Sequence, residues 1–133
     1  MTMISSSEEF VRLRRGDGPS QIATLDIYST KSTVSLSALA PSVEDVIHEQ
    51  FKRLDPHATF TTRDSKVGAS WGAVQMTVRY HGLSTYGVGE ITHRIYFFVH
   101  GGVFYEFDYM VVAPYTAKYL TVFTASAASI RSR

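Results

Sequence analysis

Residues 91–112 read ITHRIYFFVH-GG-VFYEFDYMVV, and this stretch decides the fold. Ten residues rich in β-branched and aromatic side chains run into Gly101-Gly102, and ten similar residues run out. A two-residue type I′ turn needs positive φ at both central positions, which glycine adopts without steric penalty, so the pattern predicts a tight β-hairpin. The turn fixes the register. His100 should face Val103, Val99 face Phe104, Phe97 face Glu106, Ile95 face Asp108, and His93 face Met110.

That register sorts the side chains into two sets. One set holds Tyr105, Phe107, Tyr109 and Val111 with Phe98, Tyr96, Arg94 and Thr92; its bulk suits burial under helices. The other mixes Phe97, Phe104 and Met110 with His93, Glu106 and Asp108, and is expected to be open. His93 and Asp108 fall on a diagonal within hydrogen-bonding reach, while Glu106 and Asp108 form a like-charge pair able to raise one pKa. Arg79 or Gln75, from the preceding strand, could join them. One histidine with two carboxylates would also suit a divalent ion, although no ligand spacing in the chain identifies a metal site and none is assigned. An apolar patch rimmed by charge suits a binding surface of Phe97, Phe104, Glu106, Asp108, Met110 and Arg79.

Outward from the hairpin, Trp71 to Tyr80 alternates with period two and reads as a strand; Phe10–Leu13, Gln21–Tyr28 and Ala58–Arg63 read likewise. Gly16-Asp17-Gly18-Pro19 and Asp64-Ser65-Lys66 read as turns, and Lys31–Ser35 as a loop. Leu36–Ala40 suits a short turn, and His81–Glu90 a polar, glycine-bearing connection. Ser42 after Pro41, with Asp45 three residues on, predicts a helix start. Val43, Val46, Ile47, Phe51 and Leu54 make its apolar stripe, and Asp55-Pro56 ends it. A second helix begins at Pro114 and carries Tyr119, Val122, Phe123, Ser126, Ala127 and Ile130 on one side. Strands grouped rather than alternating with helices imply an α+β fold: an antiparallel sheet with helices packed on one face, as a two-layer or α/β/α sandwich.

The 133 residues suit a single domain, residues 1–133, with residues 1–9 polar and loosely held. A net charge of +1 with mixed signs gives no footprint for nucleic acid or membrane insertion. With no cysteine, disulfides and thiol catalysis are excluded. No spanning apolar run or signal segment is visible, so a cytoplasmic protein is expected, or an exported one if a signal segment has been removed. Arg15-Gly16-Asp17 reads as a turn, and the glycines form no phosphate loop, so no cofactor is expected.

Ala23 to Ile27 leading to the capped helix at Ser42, the Gly72–Tyr80 strand, the Arg94–Phe107 hairpin and the closing Ala127 to Arg131 together resemble the PsbP-like fold group. That group includes the photosystem subunit, a Ran-binding import factor, DcrB-type lipoproteins and type VI secretion effector chaperones. The likeness runs over about residues 22–131, without the group's opening Pro/Trp strand or lipid-attachment cysteine. It implies a non-enzymatic protein-binding module, an adaptor, chaperone or complex subunit, whose partner is another protein or a second copy. The docking region would be the mixed sheet face or the edge near His81–Glu90. The alternative is a small enzyme or ligand-binding protein, a curved sheet closed round a helix as in cystatin-like or NTF2-like cones, with His93 and Asp108 as acid and base and Glu106 beside them.

Overall fold

A computed structural model describes residues 8–15, 22–84 and 87–130, with side chains for all of these but 8–15. Six antiparallel strands, in the order β1-β2-β6-β5-β4-β3, form one sheet. They are β1 (Glu8–Arg15), β2 (Ala23–Lys31), β3 (Thr59–Val67), β4 (Trp71–Ser84), β5 (Gly87–His100) and β6 (Val103–Val112), joined by helices α1 (Leu36–Leu54) and α2 (Thr116–Ala128). The fold is α+β, as the grouping of strands implies.

The β5–β6 hairpin forms in the register its sequence dictates, with His100 opposite Val103 and Phe97 opposite Glu106. Gly101 and Gly102 have φ of +59° and +74°, the left-handed values such a turn requires. The two resulting faces are each covered by a different helix. Tyr96, Phe98, Phe107, Tyr109 and Val111 pack against Tyr119, Phe123 and Ala127 of α2. Met76, Val78, Ile95 and Phe97 pack against Ile47 and Phe51 of α1. The helices therefore flank the sheet in an α/β/α sandwich, rather than sharing one face. Alternation explains this: Phe97 and Phe98 point in opposite directions, and each needs its own apolar cover. A two-sided cover also differs from a curved sheet closed round one helix.

Several boundaries differ from the sequence expectation, three of them with consequences for the site. Helix α1 starts at Leu36, capped by Ser35, whose hydroxyl accepts from the Ala38 N–H, and runs through Pro41 instead of beginning after it. Leu36 and Ala40 pack against the α1-side core, which offsets the proline's lost hydrogen bond. Val46 and Leu54, placed by periodicity in the apolar stripe, point outward. Asp64-Ser65-Lys66 lies within β3, and the reversal falls at Gly68, where φ is +64°. Most of His81–Glu90 is β-ladder rather than loop, so β4 and β5 extend past their neighbours as a two-stranded arm. The Gly16–Pro19 turn and most of the Met1–Glu9 stretch lie outside the described residues. Among the described residues, no helix is long and apolar enough to cross a membrane.

Candidate functional site

The hairpin register sets His93 opposite Met110 and Ile95 opposite Asp108. The diagonal contact expected between His93 and Asp108 is present: Nδ1 lies 2.6 Å from Oδ1, with the side chains 14% and 17% exposed. A carboxylate only accepts, so Nδ1 donates to Asp108, and Nε2 lies 3.5 Å from the Tyr80 hydroxyl. The Phe51 ring of α1 meets the imidazole edge-on, with centroids 4.7 Å apart. Both ring nitrogens are thus engaged within a chain Tyr80–His93–Asp108 roofed by α1.

Glu106 is two residues from Asp108 on the same face and is partly buried. Burial, reinforced by the Asp108 charge, lifts its carboxyl from 4.5 to about 7. Burial, with the Asp108 charge again adding, also raises the Tyr80 hydroxyl. Asp26 of β2 stands directly opposite Asp108, and Tyr28 opposite Glu106, so the cluster continues onto a strand that local reading did not pair with it. Among the described residues, no three His, Cys, Asp or Glu side chains gather in a way that could hold a metal ion.

The remaining sequence candidates divide. Phe97 is 0% exposed beneath α1 and cannot serve as a contact residue. Phe104 is half-buried against the same core, its ring 6.3 Å from that of Phe97, and Met110 is half-buried too. Arg79 and Gln75 alternate with Val78 and Met76, so they point to the opposite face. Arg79 bonds Thr92 (3.4 Å) and Glu90 (3.5 Å), and Gln75 accepts from Ser65 (3.4 Å). Neither joins His93. The expected open surface is therefore in part a core, closed by the helix the sequence reading assigned to the other side.

What the sequence reading missed is the arm. Beyond Arg79 and Thr92 the β4–β5 ladder continues through His81↔Glu90, Gly82↔Gly89, Leu83↔Val88 and Ser84↔Gly87. These four further pairs project about 13 Å at the usual rise per residue. The base is fixed to α1: Asp55, which caps that helix, accepts from the His81 N–H at 3.0 Å and the His57 N–H at 2.9 Å. Those two backbone donors hold its carboxyl below the usual range. Glu90 also accepts from the Ala113 N–H at 3.0 Å. Near the tip Leu83 and Val88 are cross-strand partners, 79% and 78% exposed. The signal was available as the near-mirror spacing of Leu83 and Val88 about Thr85-Tyr86.

No family model matches the chain, and no curated protein matches it in sequence. Among solved structures it is similar to PA94 of Pseudomonas aeruginosa, a protein of unknown function, with a TM-score of 0.52 and 9% identity over 98% of this chain and 86% of that one. At that identity the likeness concerns the fold alone.

Proposed function

We propose that this chain is a non-enzymatic protein-binding module, an adaptor, chaperone or complex subunit, that contacts its partner through the β4–β5 arm. The observation that carries this reading is the Leu83–Val88 pair: two large apolar side chains, directly opposite each other and almost wholly exposed, on a ribbon anchored at its base. A cross-strand apolar pair raised clear of the core contributes little to folding, and apolar exposure of this kind suits an interface. The resemblance to the PsbP-like group supports the same reading, since its members mostly hold other proteins. Against the alternative of acid–base catalysis stands the cover over His93, whose side chain is 14% exposed and whose ring meets Phe51 of α1 edge-on with centroids 4.7 Å apart, restricting a substrate's approach to its nitrogens.

The test compares affinity purification from the native host using wild type and the double variant Leu83→Glu/Val88→Glu. Wild type should retain a stoichiometric partner, or run as a dimer by light scattering if that partner is a second copy. The double variant should lose it with an unchanged circular dichroism spectrum. Equal recovery from both proteins would refute the assignment.

A further inference from the structure

We propose that the groove between the amino-terminal half of α1 and the free edge of β3 binds an extended segment of a partner protein, added to the sheet as a seventh strand. Small apolar side chains of that segment enter the groove and a basic one meets Glu44. The proposal rests on the reading of the chain as a binding module and uses a surface separate from the arm.

Strand β3 ends the sheet and runs for nine residues, with β4 on one side and no strand on the other among the described residues. Such an edge presents a row of backbone N–H and C=O groups that an extended chain can pair. Helix α1 closes on β3 at one end only: His48 stacks on Phe60 with centroids 4.0 Å apart, and Lys52 Nζ lies 6.0 Å from the same ring. Toward the start of the helix the two elements part and leave a groove of about 540 Å³. Leu36, Ala40 and Glu44 of α1 wall it, and Asp64, Gly72 and Val74 of the sheet also line it. That volume lies in the range of ordinary ligand clefts.

Two details suit a strand as the occupant. Asp64 and Val74 are cross-strand partners, so the groove lies on one face of the sheet, and alternate side chains of an added strand would enter it. Gly72 does not have a positive φ, and a Cβ there would meet nothing within 4 Å. Its bare backbone keeps the floor open without being needed for a turn. Of the charged lining residues, Glu44 and Asp64 share this face while Arg63 alternates to the other; Lys66, opposite Gly72, borders the groove beside Asp64, so a lysine or arginine on the incoming segment is complemented chiefly at Glu44. A second copy fits less well: full-length antiparallel pairing of two β3 strands, Thr59 opposite Val67, centres on Arg63 facing Arg63. Like charges directly opposite are destabilising.

The probe is a fluorescein-labelled nonapeptide of alternating threonine and valine with one valine replaced by lysine, titrated with the full chain and followed by anisotropy. Saturable binding is expected. Gly72→Leu should weaken it by about tenfold with unchanged circular dichroism and melting, because the new side chain occupies the space of a seated one. N-methylation of alternate peptide amides should abolish binding in one phase and spare it in the other, as only one set faces β3. Exchanging the peptide lysine for glutamate should weaken binding. Leu83→Glu/Val88→Glu should bind the peptide as wild type does, so a failure at the arm and a failure at the groove are told apart. Absence of saturable binding, equal loss from both methylation phases, or indifference to Gly72→Leu each overturns the proposal. So does a dimer by light scattering that Gly72→Leu dissociates, which would assign the edge to a second copy.

Discussion

His93 and Asp108 bond at 2.6 Å across a diagonal of the β5–β6 ladder, although neither is the other's direct partner. The contact ties three elements together, because the other ring nitrogen reaches Tyr80 of β4 and the ring edge meets Phe51 of α1. A largely buried polar chain of this kind fixes which residues of α1 sit over which strands, since each polar atom tolerates few partners.

Removing both members should therefore cost less than the two single removals added together. Asp108→Ala or His93→Ala should each lower stability by about 1–3 kcal/mol, the cost of stranding the remaining polar group. Urea unfolding followed by Trp71 fluorescence checks this; the indole stacks on His100 at 3.9 Å and reports the native sheet. Strict additivity would show that the pair is uncoupled.

Glu106 makes stability depend on pH in a defined direction. Its folded pKa, raised from 4.5 to about 7, means that the native state holds the proton more tightly than the unfolded chain. Its contribution is then fully present below about pH 4.5 and is lost as pH rises through about 7. The displacement sets a ceiling of about 3 kcal/mol, reduced by the side chain's partial access to water. Glu106→Gln, neutral at every pH, should stabilise the protein at pH 8 relative to wild type and much less at pH 5. A difference that is flat with pH would show that the carboxyl is not perturbed.

The local part of this fold was legible because its determinants are close in sequence. Two glycines set one turn, the turn set one register, and the register set the His93–Asp108 diagonal. The second helix was legible from its period, although it starts at Thr116 rather than Pro114 and Val122, expected on its apolar side, is exposed. What escaped was non-local. Nothing near Asp26 in sequence announces that β2 lies against β6 and brings it opposite Asp108. Nor does periodicity say which face a helix will cover: Phe97 and Phe98 are both fully apolar, so both faces of the hairpin required a cover, and reading one as open was the error. The arm was missed because Gly82, Gly87 and Gly89 look like loop residues, yet Gly82 and Gly89 pair within a regular ladder.

Phe97 and Leu83 give opposite expectations for the same kind of change. Phe97→Ala should destabilise by about 3–5 kcal/mol, since the ring is fully enclosed under α1 and its loss leaves a cavity. Leu83→Ala should stay within about 0.5 kcal/mol of wild type, as an exposed side chain away from any cap or network. Urea midpoints at pH 7 separate the two; a large effect at Leu83 would mean that the arm folds back on the body.

Gly101→Ala tests the turn that organises the sheet. The residue has φ of +59° and open space where a Cβ would point, so the substitution meets backbone strain without a clash. A loss of about 1–2 kcal/mol is expected, the left-handed penalty for an L-residue. Gly68→Ala should cost more, because there a Cβ would lie 2.4 Å from the Ile130 carbonyl oxygen in addition to the positive φ. Equal losses at the two positions would argue against the close approach of Ile130 to Gly68.

Asp55 couples helix α1 to the arm, and removing its carboxylate should loosen the arm without unfolding the body. The side chain is the acceptor for His81 N–H, the first arm residue past Tyr80, and for His57 N–H. Asp55→Ala removes both acceptors; Asp55→Asn keeps one oxygen that can accept. Hydrogen exchange should therefore speed up at residues 81–84 and 87–90 in Asp55→Ala, partly in Asp55→Asn, and not in the Ile95–Phe98 core, whose opening needs global unfolding. Because the two N–H donors hold the carboxyl below its usual range, the anchor is intact at neutral pH and is lost as pH falls through its depressed folded value. If exchange in the arm is unchanged by Asp55→Ala, the ribbon is held by its own ladder, and the rigid presentation of Leu83 and Val88 does not derive from α1.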